Sequence, residues 1–195
     1  MTTDFWEYGM REHLKTVQGI VENAGLLESI SKVAEIIVDA YKAGHKLLLC
    51  GNGGSAADAQ HIATELVSKF LMERKALDAE ALTVNTSTLT AIGNDYDFDK
   101  VFSRQIEAKG KKGDVLIAIS TSGNSKNVLE AIKAAKHMGL VTIGLTGAKM
   151  ETQINVLSDY CINVPSQSTP RIQEAHILIA HMVCEYIENK LFGVI

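Results

Sequence analysis

The sequence predicts an α/β fold, a three-layer sandwich in which a parallel sheet of about five strands lies between layers of helices, with further helices at the N-terminal end. Five short apolar runs are continuous rather than alternating, which is typical of strands buried on both faces. Helix-like stretches separate these runs, as in βαβ units. The 195 residues include only two prolines and no flexible linker, so we predict one domain over 1–195.

Two helices are predicted first, at about 4–24 and 27–43, because apolar side chains recur there at helical spacing. Gly25 and Gly44 fall where these helices should end. The later elements follow from the alternating pattern: strands at 46–50, 81–84, 115–119, 140–145 and 160–164, and helices at 55–72, 98–109, 125–138 and 170–191. Because ligands of open parallel sheets bind beyond the carboxyl ends of the strands, the residues after each run are the candidate site.

The composition excludes several classes of function. The chain carries 19 Lys and Arg against 23 Asp and Glu, and this net charge of −4 argues against nucleic acid or an anionic membrane as the main partner. No apolar run approaches the roughly 18–20 residues of a membrane helix, and the acidic first residues do not resemble a signal peptide. Three widely spaced cysteines suit free thiols in a reducing compartment, so we expect a cytoplasmic protein.

Two loops follow predicted strands and are candidates for ligand binding. The glycine-rich turn Gly51–Ser55 can bring backbone amides close to a ligand at a helix N-terminus, although a plain strand-to-helix turn would look the same. It lacks a Walker lysine and a G-x-G-x-x-G pattern, which disfavours nucleotides. The serine-rich loop Ser120–Ser125 offers four hydroxyls and free amides for a phosphate monoester. Helix capping by Asn124 or Ser125 is the alternative, but a cap needs only one such side chain.

Two predicted helices carry candidate chemical groups. His61 and Glu65 are four residues apart and share one helix face, where they can hold a metal ion, act as an acid/base couple or simply form a surface hydrogen bond. The last helix carries Gln173, His176 and His181 in an apolar stretch, where a histidine is often part of the core. The segment 92–97 is interpreted as a polar loop after a short helical segment, since asparagine and aspartate favour turns.

Six segments follow one another along nearly the whole chain: CGNGGS (50–55), DAQH…EL (58–66), GND (93–95), FSR (102–104), GDVL…ISTSGNS (113–125) and RIQE…H (171–181). Together they resemble the phosphoheptose isomerases, enzymes with the sugar isomerase (SIS) fold. The serine-rich loop is shared by many phosphosugar-binding domains of this fold. The glycine-rich turn combined with His61, Glu65 and the RIQE…H helix is more specific.

The resemblance implies an isomerase that interconverts sedoheptulose 7-phosphate and D-glycero-D-manno-heptose 7-phosphate, the first step toward nucleotide-activated heptose. It also implies one zinc ion per subunit and a homotetramer with active sites at subunit interfaces, where residues 1–44 pack. The implied zinc ligands are His61, Glu65, Gln173 and His181. The implied substrate-binding residues are Asn52, Gly53, Gly54, Ser55, Glu65, Asn94, Asp95, Ser120, Thr121, Ser122, Ser125 and Gln173.

Aldose-ketose chemistry explains why such groups are needed. Moving a carbonyl between C1 and C2 requires a base for a carbon-bound proton and electrostatic stabilisation of an enediolate. We expect Glu65 to be the base and His181 to be the acid/base at the oxygens, with zinc polarising the carbonyl and the serine-rich loop anchoring the phosphate. A tight zinc ligand cannot also be a free base, so zinc is expected to be bound loosely or to be partly structural.

Two residues depart from the family pattern, and two other functions compete. Lys69 stands where many relatives have arginine. Lysine keeps the positive charge but cannot form the bidentate contact of a guanidinium. Pro170 stands where some relatives have an acidic residue.

A non-catalytic relative of this fold that binds the replication initiator lacks the groups matching Glu65 and His181, which this chain has. An isomerase of another ketose phosphate is the second alternative, because pocket shape sets the sugar length.

Overall fold

A computed structural model describes residues 3–193 and contains a parallel sheet of five strands between two layers of helices. The ends of the predicted domain 1–195 beyond these bounds lie outside the described residues. The strands are β1 Leu47–Gly51, β2 Ala79–Ala81, β3 Val115–Ile119, β4 Val141–Thr146 and β5 Tyr160–Asn163. The helices are α1 Thr3–Val21, α2 Ala24–Lys42, α3 Gly54–Val67, α4 Thr86–Asp95, α5 Ser103–Lys109, α6 Lys126–His137, α7 Gln153–Leu157 and α8 Thr169–Phe192, with a 3-10 helix at Phe98–Lys100. The predicted α/β class is confirmed.

The strand order is β2-β1-β3-β4-β5, and every neighbouring pair is parallel. The direction of chain progression therefore reverses between β1 and β3, which is where open sheets of this kind form their binding crevice. Gly51 at the end of β1 pairs in register with Ile119 at the end of β3. The glycine-rich turn and the serine-rich loop consequently leave the sheet side by side.

Both faces of the sheet are covered, which explains the continuous apolar runs. Leu47 and Leu49 point into a core shared with α2, α3 and α8. Leu48 and Cys50 point to the opposite face, into a core shared with α5 and α6. Each of these leucines is fully buried, which contributes about 1.5–3 kcal/mol relative to an exposed position. The two helical layers thus fix the positions of the strand ends.

Three predicted bounds around the sheet were wrong, and one of them is that of the helix predicted at 55–72, which is α3 and ends at Val67. The strand predicted at 81–84 is instead β2 at Ala79–Ala81, an edge strand that pairs only with β1 and therefore needs no apolar run of its own. The helix predicted at 98–109 is divided into the 3-10 helix and α5. The Asp97 side chain accepts a hydrogen bond from the Asp99 N–H at 2.9 Å and thereby caps the 3-10 helix, which is separate from α5.

The two N-terminal helices form as predicted, but only one of the two glycines ends a helix. Gly44 follows α2 with a φ of +81°, as a helix-terminating glycine should. Gly25 lies inside the first turn of α2, so its prediction as a terminator was wrong. The Asn23 side chain caps α2 by accepting a hydrogen bond from the Leu26 N–H at 3.0 Å, which sets the start of the helix before the glycine.

Helix α1 presents an apolar surface to solvent, although its other side packs against α8. Phe5, Trp6, Tyr8 and Met10 are each roughly 60–70% exposed. Arg171 at the start of α8 donates to the Gly9 carbonyl at 2.6 Å and fixes α1 in place. Within residues 3–193, no helix combines the length and apolar character that crossing a membrane requires.

The three cysteines are free, as predicted. Cys50 and Cys184 are buried and Cys161 is half-buried. Burial raises the pKa of each of the three thiols to about 12.

Candidate active site between two helices and two strand-end loops

Helices α3 and α8 bring together three of the four predicted metal ligands. Gly54 lies against Gln173 near the start of both helices, and His61 lies against His181 further along, so the helices run in the same direction. The two imidazole Nε2 atoms of His61 and His181 are 2.9 Å apart, and His61 Nε2 is 3.2 Å from Glu65 Oε1. Two segments that are 120 residues apart in the chain thus form one cluster.

The donor set of this cluster fits a zinc ion. One ligand atom from each of His61, Glu65 and His181 lies within 4.8 Å of the others. Zinc is commonly bound by imidazole nitrogens and carboxylate oxygens in a tetrahedron. The Gln173 carboxamide packs against Gly54, where any Cβ would collide with it. Glycine at position 54 therefore makes room for Gln173, whose role as a ligand stays a prediction.

The hydroxyls of the serine-rich loop converge on one another. Ser120 Oγ is 2.9 Å from Ser125 Oγ and 3.4 Å from Ser122 Oγ. Ser125 precedes α6, but its side chain makes no capping hydrogen bond. Gly123 has a φ of +68°, and a Cβ there would collide with Thr152, so the loop needs glycine for its turn. Capping therefore does not explain this set of hydroxyls, and a phosphate site fits it better.

A pair of amides joins the glycine-rich turn to the first turn of α6, which follows the serine-rich loop. The Asn52 side chain donates to Asn127 Oδ1 at 2.8 Å, and the Asn127 side chain donates back to Asn52 Oδ1 at 2.9 Å. Gly53, which precedes α3, has a φ of +57°, and Ser55 is buried. Asn127 was missed by the sequence analysis, where the only available signal was a polar residue in the first turn of an otherwise amphipathic helix.

No hydrogen bond joins Asn94 or Asp95 to the other predicted site residues within residues 3–193. Both lie in the last turn of α4, so the prediction of a polar loop at these positions was wrong. The Asn94 amide donates to Asp95 Oδ1 at 2.8 Å, and both residues are exposed. Helix α4, whose ten residues are all described, buries none of them. Both side chains are open to solvent.

Comparison with known proteins decides the family. Residues 12–147 match the SIS domain family model. The chain is 53% identical over 190 residues to the phosphoheptose isomerase of Clostridium acetobutylicum, covering 97% of this chain and 96% of that protein. It is 48% identical over 189 residues to that of Aneurinibacillus thermoaerophilus, covering 97% and 95%. The structure of phosphoheptose isomerase GmhA from Neisseria gonorrhoeae superposes with a TM-score of 0.90 at 44% identity, covering 96% of this chain and 98% of that one. The chain belongs to the phosphoheptose isomerase family of SIS-domain proteins.

In this member of the phosphoheptose isomerase family, the other helical histidine is a core residue. His176 is 1% exposed, and its Nε2 lies 3.2 Å from the Thr146 carbonyl oxygen. Burial lowers the pKa of His176 to about 4. Of the two histidines on α8, only His181 reaches the cluster, which agrees with their angular separation on the helix.

Two charged residues near the candidate site, Asp58 and Lys69, differ in their surroundings. Asp58 was not singled out by sequence, yet its Oδ2 is buried without a hydrogen-bond partner among residues 3–193. Burial raises the pKa of the Asp58 carboxyl, and the neighbouring His61 partly opposes that rise. Lys69, by contrast, extends into solvent, where its ammonium pairs with Glu73 at 3.0 Å.

Proposed function

We propose that the protein is an aldose-ketose isomerase that interconverts sedoheptulose 7-phosphate and D-glycero-D-manno-heptose 7-phosphate through an enediolate. One observation carries the proposal: Glu65 and His181, a carboxylate and an imidazole from different helices, lie in one cluster beside His61. The relatives at 48–53% identity, which are named phosphoheptose isomerases, support the choice of substrate. The non-catalytic initiator-binding alternative is disfavoured because both groups are present and close together.

Each residue contributes one step of this chemistry. The Glu65 carboxylate removes the proton from C2 of the open-chain aldose and returns it to C1, which moves the carbonyl from C1 to C2. The His181 imidazole donates a proton to one sugar oxygen and accepts a proton from the other. The hydroxyls and amides of the serine-rich loop hold the phosphate, which fixes the reacting carbons relative to Glu65.

A zinc ion would be held by His61, Glu65 and His181, with Gln173 as the fourth ligand. Bound zinc supplies a Lewis acid for the carbonyl oxygen. Because Glu65 would serve both as a ligand and as the base, zinc would either be bound loosely or have a partly structural role.

The proposed active unit is a homotetramer in the cytoplasm. Helix α1, in the N-terminal part of the chain, has an exposed apolar side that includes Phe5 and Trp6. Such a surface supports the packing of α1 against another subunit. Asn94 and Asp95 face outward, which supports their contributing to a neighbouring subunit's site. The free cysteines support a reducing compartment.

An activity assay tests the proposed reaction. Purified protein is incubated with sedoheptulose 7-phosphate and, in parallel, with pentulose and hexulose phosphates, and the aldose products are measured. We expect the highest kcat/KM for the seven-carbon substrate. A higher kcat/KM for a shorter sugar would show that the protein is an isomerase of another ketose phosphate. If none of these substrates is converted, the proposal is rejected.

Metal content tests the ligand assignment. We expect the purified protein to contain zinc, and the His61→Ala variant to contain several-fold less, because one of two imidazole ligands is removed. The control is His137→Ala, which removes an exposed histidine outside the cluster and should leave zinc content unchanged. Equal zinc in both variants would show that the cluster is not the metal site.

A further inference from the structure

Arg74 and Glu188 form a buried ion pair at the far end of α3 and α8 from the strand-end loops. Both side chains are 1% exposed, and Arg74 Nε donates to Glu188 Oε1 at 2.8 Å. The Arg74 guanidinium also donates to the main-chain carbonyls of Glu65 at 2.7 Å and Leu66 at 2.6 Å. These carbonyls belong to the last turn of α3, where a helix leaves such groups without partners of its own. Arg74 therefore caps the helix at the residue proposed as the base.

The Glu188 carboxylate holds the segment that follows α3. It accepts hydrogen bonds from the N–H groups of Phe70 and Leu71, both at 2.8 Å, and of Met72 at 3.2 Å. Burial alone would raise the pKa of Glu188, but these N–H groups and Arg74 outweigh it and lower the pKa. The sequence predicted that α3 would extend to 72, but the helix ends at Val67. The N–H groups of residues 70–72 bond to the Glu188 carboxylate instead of to carbonyls of a longer helix.

Phe70 connects this segment to the proposed acid/base. Its ring stacks on the His181 imidazole with centroids 5.5 Å apart and planes 22° from parallel. Glu188 follows His181 by seven residues on α8, two turns along the same face. One helix thus carries both the imidazole and the carboxylate that holds the ring against it.

We propose that the Arg74–Glu188 pair is a positioning device for catalysis, in addition to its part in the fold. Arg74 fixes the end of α3 beside Glu65, and Glu188 fixes Phe70 against His181, so together they set the distance between the base and the acid/base. Neither residue touches the reacting atoms. The inference rests on the proposed roles of Glu65 and His181.

Steady-state kinetics of Glu188→Gln test the positioning role. Because small misplacements of catalytic groups are costly, we expect kcat to fall about 10- to 100-fold with KM for the sugar phosphate nearly unchanged. The matched control is Asp114→Asn. Asp114 is likewise buried and accepts the N–H groups of Lys46 at 3.1 Å and Lys111 at 2.9 Å, but it lies at the opposite, amino end of the strands. Both variants should lower Tm, and only Glu188→Gln should lower kcat.

An NMR measurement tests the same inference without substrate. The Cε1–H signal of His181, assigned with His181→Gln, should carry a ring-current shift from Phe70 that is lost in Phe70→Leu and reduced in Glu188→Gln. Phe70→Leu leaves the ion pair untouched, so it remains informative if Glu188→Gln does not fold, and its kcat should fall as well. If Glu188→Gln folds and keeps wild-type kcat and the wild-type His181 signal, or if Phe70→Leu keeps wild-type kcat, the pair is only structural. A wild-type protein without isomerase activity would overturn the proposed function, and a His181 signal that still responds to Glu188→Gln would then show only that Glu188 holds Phe70 against His181.

Discussion

Replacing Glu65 by glutamine is expected to lower kcat for heptose phosphate isomerisation by about 10²–10⁴-fold, the usual contribution of a general base. Glutamine has nearly the same size but cannot take the proton from the sugar carbon. The side chain of Glu65 lies 3.2 Å from His61 and is only partly buried, so its loss should leave the fold intact. The measurement is steady-state turnover at saturating substrate, with circular dichroism to confirm folding.

Glu73→Gln is the matched control for this result. The Glu73 carboxylate is 85% exposed and pairs only with Lys69 among the described residues, so its neutralisation should leave kcat unchanged. Substantial activity in Glu65→Gln, at wild-type zinc content, would exclude Glu65 as the base. The isomerase reaction would then require another base, for which Asp58 is a candidate because its buried Oδ2 has no hydrogen-bond partner among residues 3–193.

Replacing Arg74 by methionine is expected to lower the free energy of unfolding by about 3–5 kcal/mol, because it leaves the buried Glu188 carboxylate without its cation. The carbonyls at the end of α3 also lose their donors. Urea unfolding at neutral pH measures the change. The control is Arg11→Met, which breaks an exposed pair with Glu7 and should cost about 0–1 kcal/mol. An equal loss of unfolding free energy in the two variants would show that the buried Arg74–Glu188 pair contributes no more than an exposed ion pair.

The pH dependence of stability provides a second check on Glu188. Its pKa in the folded protein is below its usual value of 4.5, so the ionised carboxylate stabilises the fold above that value. This contribution is lost as pH falls from 4.5 through the lower, folded-state pKa. We therefore expect the difference in unfolding free energy between wild type and Glu188→Gln to narrow on acidification over that range. A difference that is independent of pH would contradict the assignment.

The local patterns of the sequence were sufficient to predict the fold class and part of the candidate site. The strands were recognisable because both faces of the sheet are buried, and the spacing of His61 and Glu65 placed them on one helix face. The serine-rich loop was recognisable because more hydroxyls are present than capping needs.

What the sequence could not predict depends on contacts between distant segments. The end of α3 is set by Glu188, which is more than a hundred residues away, and no local signal marks Val67 as the last helical residue. Likewise, the meeting of His61 with His181 follows from the packing of α3 against α8. The bounds of β2 were predicted wrongly for a different reason: an edge strand has one neighbour and a weaker apolar pattern.

The state of the three cysteines has a practical consequence for labelling experiments. With thiol pKa values of about 12, Cys50, Cys161 and Cys184 carry almost no thiolate at neutral pH, and the thiolate is the form that reacts with maleimide dyes. A cysteine introduced at an exposed position will therefore take up the fluorophore selectively. Distances between subunits of the proposed tetramer can then be measured by energy transfer without first removing the natural thiols.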